Sequence, residues 1–167
     1  MSELRFYKPN KDGNGAASKI QLVDKLVEKD GSKFNKVMLF WVSAQQNGKD
    51  EDDNAKFFWE PKDGRQVTMK LGDPDVGEIL AVLNGMKKEA GSSMGLFHKN
   101  ENGNSSLQFK ANVQSDANGE SVVNGYYVRL AFQDKSKKVT EVKHSLTLAE
   151  AEILKLLLER YVMKKYW

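Results

Sequence analysis

Twice along this chain a strand-like alternation of apolar and polar residues stops at a capped junction and gives way to helical spacing. At the first junction Val67, Met69 and Leu71 alternate with Gln66, Thr68 and Lys70, and Val76, Ile79, Leu80 and Leu83 then recur at the spacing of a helix face. Asp73 reads there as the N-cap and Pro74 as the first helical residue, with the helix running to about Lys88 and stopped by Gly91-Ser92-Ser93. At the second junction, Thr147-Leu148-Ala149-Glu150 is a capping box that opens a Leu-rich helix with a basic end, Lys164-Lys165. Laid over one another, the two junctions place Glu78-Ile79-Leu80 and Glu152-Ile153-Leu154 at the same point of each helix. A chain that repeats this order of elements is expected to be two similar units, each a set of strands closed by a helix.

The stretches before each junction supply the strands. Residues 36–45 form an apolar and aromatic run, residues 46–54 a solvated turn, residues 56–60 a return arm, and Pro61-Lys62-Asp63-Gly64 a tight turn into residues 65–71. Residues 20–23 offer a short strand, although Leu22, Leu26 and Val27 also fit a helical face, so residues 23–28 stay open between the two. In the second half, strands are expected at 94–99, 106–114, 126–134 and 139–146, with 115–124 a polar loop. Residues 8–18 concentrate turn formers and little that could anchor a core, so residues 1–18 are expected to be a flexible N-terminal arm. Residues 19–167 then form a single domain of two repeats, about 19–91 and 92–167. The fold class is α+β: two β-β-β-β-α repeats, antiparallel sheets packed with the two helices.

Composition removes several functional classes. There is no cysteine, which excludes disulfides, thiolate metal sites and a cysteine nucleophile. The apolar runs fall far short of the roughly 20 residues of a membrane-spanning helix, and the N-terminus lacks the pattern of a secretory signal, so an intracellular, non-membrane protein is expected. His98 and His144 stand on expected strands without neighbouring carboxylates, and no Gly-rich phosphate loop follows a strand. The acidic run Asp50-Glu51-Asp52-Asp53 lacks the spacing of a calcium loop and reads as a hairpin tip. No enzyme, cofactor or metal is expected.

The order of elements in residues 19–167, sharpest from 137 to 166 where a basic hairpin runs into a capped Leu-rich helix, resembles the Whirly-like group: the Whirly proteins, the Pur repeats and the positive transcriptional coactivators. The Lys-Gly-Lys-Ala-Ala-Leu signature of plant Whirly proteins has no counterpart here, which puts their higher-order assembly in doubt for this chain. The resemblance implies a binder of single-stranded nucleic acid whose sheets expose basic and aromatic side chains, with the helices serving as packing or dimer surface.

A sequence-independent binder of single strands needs cations that track phosphates and flat rings on which bases stack. Net charge is only +3, from 26 Lys and Arg against 23 Asp and Glu, so placement has to carry the argument. Alternation in the second half puts Phe97, Lys99, Gln108, Lys110, Asn112, Tyr127, Arg129 and Ala131 on one outward face with no carboxylate among them. Lys137, Lys138 and Lys143 add to the most basic stretch of the chain. In the first half Lys36, Lys56, Trp59 and Lys70 occupy comparable places, while Trp41 is read as core. The C-terminal helix has more apolar surface than one sheet needs, because Ile153 and Leu156 widen its stripe, and either a second subunit or burial between two sheets of the same chain would use the excess. The expected ligand is single-stranded DNA, with RNA as the alternative. The rival from another class is a non-catalytic interaction scaffold that works through the C-terminal helix.

Overall fold

In the computed structural model, which describes residues 1–167, Leu4 and Phe6 alternate with Glu3, Arg5 and Tyr7 and form a strand. This strand, β1 (Ser2–Lys8), pairs antiparallel with β2 (Ala16–Lys29), and Phe6 is buried in the core. Residues 1–18 are therefore not an arm; the first repeat starts at its first residues. The small side chains of Ala16 and Ser18, which read as loop, face the core and are buried, and Ala17 between them is buried on the opposite face of the sheet.

β2 turns into β3 (Ser32–Lys49) through Asp30-Gly31, both in the left-handed region, with φ 53° and 77°. A two-residue turn with both central residues at positive φ matches the twist of a hairpin, so residues 23–28 are strand and the helical alternative falls. β4 (Ala55–Phe57) pairs with the far end of β3, and β5 (Gln66–Leu71) pairs with its middle, giving the order β1-β2-β3-β5. Val67, Met69 and Leu71 face inward as their alternation requires. Helix α1 (Asp73–Leu83) stops at the last of its apolar positions and short of the expected Lys88, because Gly85 at φ 73° ends it before Gly91 can.

The second sheet runs in chain order: β6 (Leu96–Asn100), β7 (Gly103–Ser115), β8 (Ser121–Asp134) and β9 (Val139–Leu146). Residues 115–124 are not all loop. β7 and β8 continue past a bulge at Asn112/Val113 as a ribbon, and only the tip turns, where the Asp116 carboxylate accepts the Asn118 and Glu120 amides. Helix α2 (Leu148–Tyr166) opens on the expected capping box between Thr147 and Glu150.

The architecture is α+β, two antiparallel sheets with two helices. Its core is one cluster of 26 buried apolar residues drawn from both sheets and both helices, so the repeats stabilise each other. At the seam a small polar group is enclosed: Trp41 Nε1 donates to Ser18 Oγ at 3.2 Å, and Ser18 Oγ lies 2.6 Å from both Ser43 Oγ and His144 Nε2. No helix is long and apolar enough to cross a membrane.

Candidate functional site

Cross-strand register fixes what each sheet shows to the outside. In the second sheet Phe97, Ser106 and Ala131 share a row with Glu141, Gln108 and Arg129 with Lys143, and Lys110 with Tyr127. The face expected from alternation is therefore assembled, with Lys99 at one end and Asn112 at the other. Phe97 is half exposed, whereas Ala131 is buried. Lys110 Nζ lies 5.4 Å from the Tyr127 ring centroid, a cation–π pair.

One expectation fails on this face. Glu141 of β9 stands on it and bonds Arg129 at 2.6 Å and Lys143 at 2.7 Å. Lys143 first, and Arg129 after it, hold the Glu141 carboxyl below the usual carboxylate range. Two of the cations named from the sequence thus share one carboxylate, which offsets one of their two charges. Alternation within β6, β7 and β8 could not show this, because the carboxylate comes from the fourth strand. Lys137 and Lys138 sit apart, on the β8–β9 turn, with Lys137 at φ 65°.

The first sheet presents the less compromised surface. Its outward rows are Tyr7, Ala17, Ala44 and Gln66; Arg5, Lys19, Val42 and Thr68; Glu3, Gln21, Phe40 and Lys70. Beyond them β2 and β3 add Val23 with Met38 and Lys25 with Lys36. The only carboxylate in these rows, Glu3, is bonded to Arg5 and, at 2.7 Å, to Gln21 Nε2. Lys25, Lys36 and Lys70 have no ion-pair partner and are exposed.

Rings lie over the same face. Ala17 and Ala44 are fully buried although they point outward, because residues 57–59 fold back across them. Phe57 packs 5.6 Å from Tyr7 and 6.1 Å from Trp59, and Lys19 Nζ sits 4.8 Å from the Trp59 ring centroid. Trp59 is held in place by Gln66 Nε2, which donates to its carbonyl at 2.7 Å. Trp41 is fully buried, as expected, while Phe40 is half-buried on the outward face. Lys56 is exposed beside the acidic tip of residues 50–54, out of register with Phe57, and does not join the face. At that tip the Asp50 carboxylate is spent on the Asn54 and Asp52 amides, at 2.8 and 3.0 Å.

Arg5, Tyr7 and Lys19 were not picked out from the sequence, and Phe40 was read as core. Their signal was there: once β1 is a strand, period two places Arg5 and Tyr7 opposite Lys19 and Ala17. Between the sheets runs a polar groove of about 510 Å³, with Lys8, Asn14, Asn112, Asn124 and Lys143 on its walls. His98 also departs from expectation, since its Nε2 lies 2.9 Å from Asp75 Oδ2. That carboxylate is a structural one: it also accepts the Gly72 amide at 2.7 Å and so caps α1.

Fold and site define a two-repeat α+β protein with one cationic, ring-bearing sheet face largely free of carboxylates and a second that is partly neutralised. No protein-family profile matches the chain, and no curated protein sequence does. Among solved structures it is similar to one described as a guide RNA-binding protein complex bound to a guide RNA, at 13% identity and a TM-score of 0.48, over 86% of this chain and 90% of that one. What this chain binds has to be argued from its own side chains.

Proposed function

We propose that this chain is a non-catalytic, intracellular protein that binds single-stranded nucleic acid on the outward faces of its sheets, the first sheet contributing most. The observation that supports this is the presence of free cations and rings on one surface: Lys70, without an ion-pair partner, shares a row with Phe40, the equally free Lys25 and Lys36 stand two rows to one side, and Tyr7 and Trp59 lie to the other. Phosphates need the former and unpaired bases the latter. Lysines that only solvate a sheet would not need rings beside them. A duplex hides its base faces, so it can use the cations but not the rings.

Fluorescence anisotropy with labelled single-stranded DNA, single-stranded RNA and duplex DNA at two salt concentrations tests the reading. Single strands should bind tightly and lose affinity with salt at a slope of about −0.7 per phosphate contact, with duplex much weaker. Absence of binding at low salt overturns the proposal. DNA is the ligand we name; tighter binding of the RNA would replace it.

The same reading includes a homo-oligomer formed through α2. Ile153, Leu156, Met163 and Trp167 are exposed on one stripe of that helix, at coiled-coil spacing. A second copy running antiparallel about Leu156 sets Glu152 against Arg160 and the small Ala149 against Met163, so charge and size are both complementary. Sedimentation of the wild type should show a dimer or larger, and Leu156→Glu a monomer. A wild type that sediments as a monomer removes this part.

A further inference from the structure

β1 pairs with β2 only as far as Leu22, and β5 pairs with β3 only from Leu39, so residues 23–38 form a two-stranded ribbon with no lateral neighbour. With seven residues on the β2 side it reaches about 24 Å beyond the sheet. Its charges are sorted by face. One face carries Val23 with Met38, Lys25 with Lys36, Val27 with Phe34, and Lys29 with Ser32. The other carries Asp24 with Val37, Leu26 with Asn35, and Glu28 with Lys33. Both strand carboxylates lie on the second face, where Asp24 is taken by Lys164 of α2 at 2.9 Å. The first face has three lysines, no carboxylate and a half-exposed Phe34.

This sorting is not what protection of a free edge requires. Either sign of charge would deter strand addition there, on either face. Instead Lys25 stands directly opposite Lys36, an arrangement that costs stability in an isolated ribbon. The lysine face also runs without a break into the outward face of the first sheet, since Lys36, Met38 and Phe40 alternate along β3.

We infer that the lysine face of the β2–β3 ribbon is an arm that a bound single strand follows beyond the sheet, with phosphates on Lys25, Lys29 and Lys36 and a base on Phe34. The inference rests on the proposed binding function and extends the length of strand engaged.

The test uses the full chain, oligothymidylates of about 8 and about 16 nucleotides, and the variants Lys25→Gln/Lys29→Gln/Lys36→Gln and Phe34→Ser. For the longer oligonucleotide the triple variant should lose about tenfold or more in affinity, and its salt slope should shrink by about 2. Phe34→Ser should lose about tenfold on the same probe. On the shorter oligonucleotide, which the sheet face accommodates alone, Phe34→Ser should bind like the wild type, and the triple variant should lose clearly less than on the longer one, because Lys25 and Lys36 also border the sheet face. The variants alter exposed side chains, and a Lys→Arg triple variant should bind like the wild type. Equal losses on both lengths, or no loss on either while the wild type binds, overturn the arm and leave the binding face standing. A wild type that binds neither probe overturns the binding function, and the arm with it.

Discussion

His144 is a titratable residue buried at the seam between the sheets. Burial holds its imidazole down to about 4, with Lys8 pushing the same way and the Ser145 carbonyl and Glu150 opposing. It is therefore neutral in the folded protein at neutral pH, with Nε2 on Ser18 Oγ at the seam between the sheets. Unfolded, the same ring takes a proton near pH 6.5. Between those values the unfolded chain binds more protons, so the stability contributed is complete above pH 6.5 and is lost as pH falls towards 4. The loss should reach about 3 kcal/mol. Urea unfolding measured at steps from pH 7 to pH 4.5 should show this decline, and His144→Gln, which keeps a polar partner for Ser18 but cannot titrate, should show a flatter profile. Identical profiles for the two proteins would remove His144 as the source.

At the scale of elements, the two helices are tied by one carboxylate. Asp73 at the start of α1 receives Tyr161 Oη and Lys165 Nζ, each at 2.6 Å, and the Tyr166 hydroxyl, all from the end of α2. Lys165 first, then Tyr161 and Tyr166, lower its carboxyl to about 2. Because about a third of the side chain meets solvent, the gain is modest, and Asp73→Asn should cost about 1 kcal/mol. The folded carboxyl titrates below the unfolded one, so this stability is present above pH 4 and fades as pH falls through 2. The gap between wild type and variant in urea unfolding should therefore be open at pH 6 and clearly narrower at pH 2.5; a constant gap would mean that the charge plays no part. Sequence alone read Asp73 as the N-cap, but Gly72 fills that place, with Asp75 reaching back to its amide. Local pattern made the helix legible and not the distant partner that claims Asp73. The same holds elsewhere. Period two made β5, β7 and β9 legible, while β1 was hidden by the turn formers that follow it and β2 by an apolar spacing that suits either element. Asp30-Gly31 was the missed signal, since a two-residue turn of that kind commits both flanking runs to a hairpin.

For the whole molecule the question is which sheet carries the proposed binding face, and here structure reverses the weight that sequence suggests. The second half has the clearer alternation and the denser cations, so its face is the more legible one. Its value is reduced by Glu141, which β9 brings into contact with Arg129 and Lys143 across the sheet. A carboxylate shared by two cations lowers the field that a phosphate would meet, and a phosphate has to displace it to bind either one. The first face keeps its lysines free because its one carboxylate is held by Arg5 and Gln21. Lys36→Ala/Lys70→Ala should therefore weaken single-strand binding by roughly tenfold and flatten the salt slope by about 1.4, two contacts at about 0.7 each. Lys110→Ala/Arg129→Ala should cost clearly less. Glu141→Gln should act in the opposite direction and tighten binding, since it releases Arg129 and Lys143 while keeping a side chain of the same shape between them. Anisotropy titrations of the three variants against one oligonucleotide at two salt concentrations decide the order. A larger loss from the second-sheet pair, or weaker binding by Glu141→Gln, would return the principal face to the second repeat and make the Glu141 cluster part of the ligand's own contact surface.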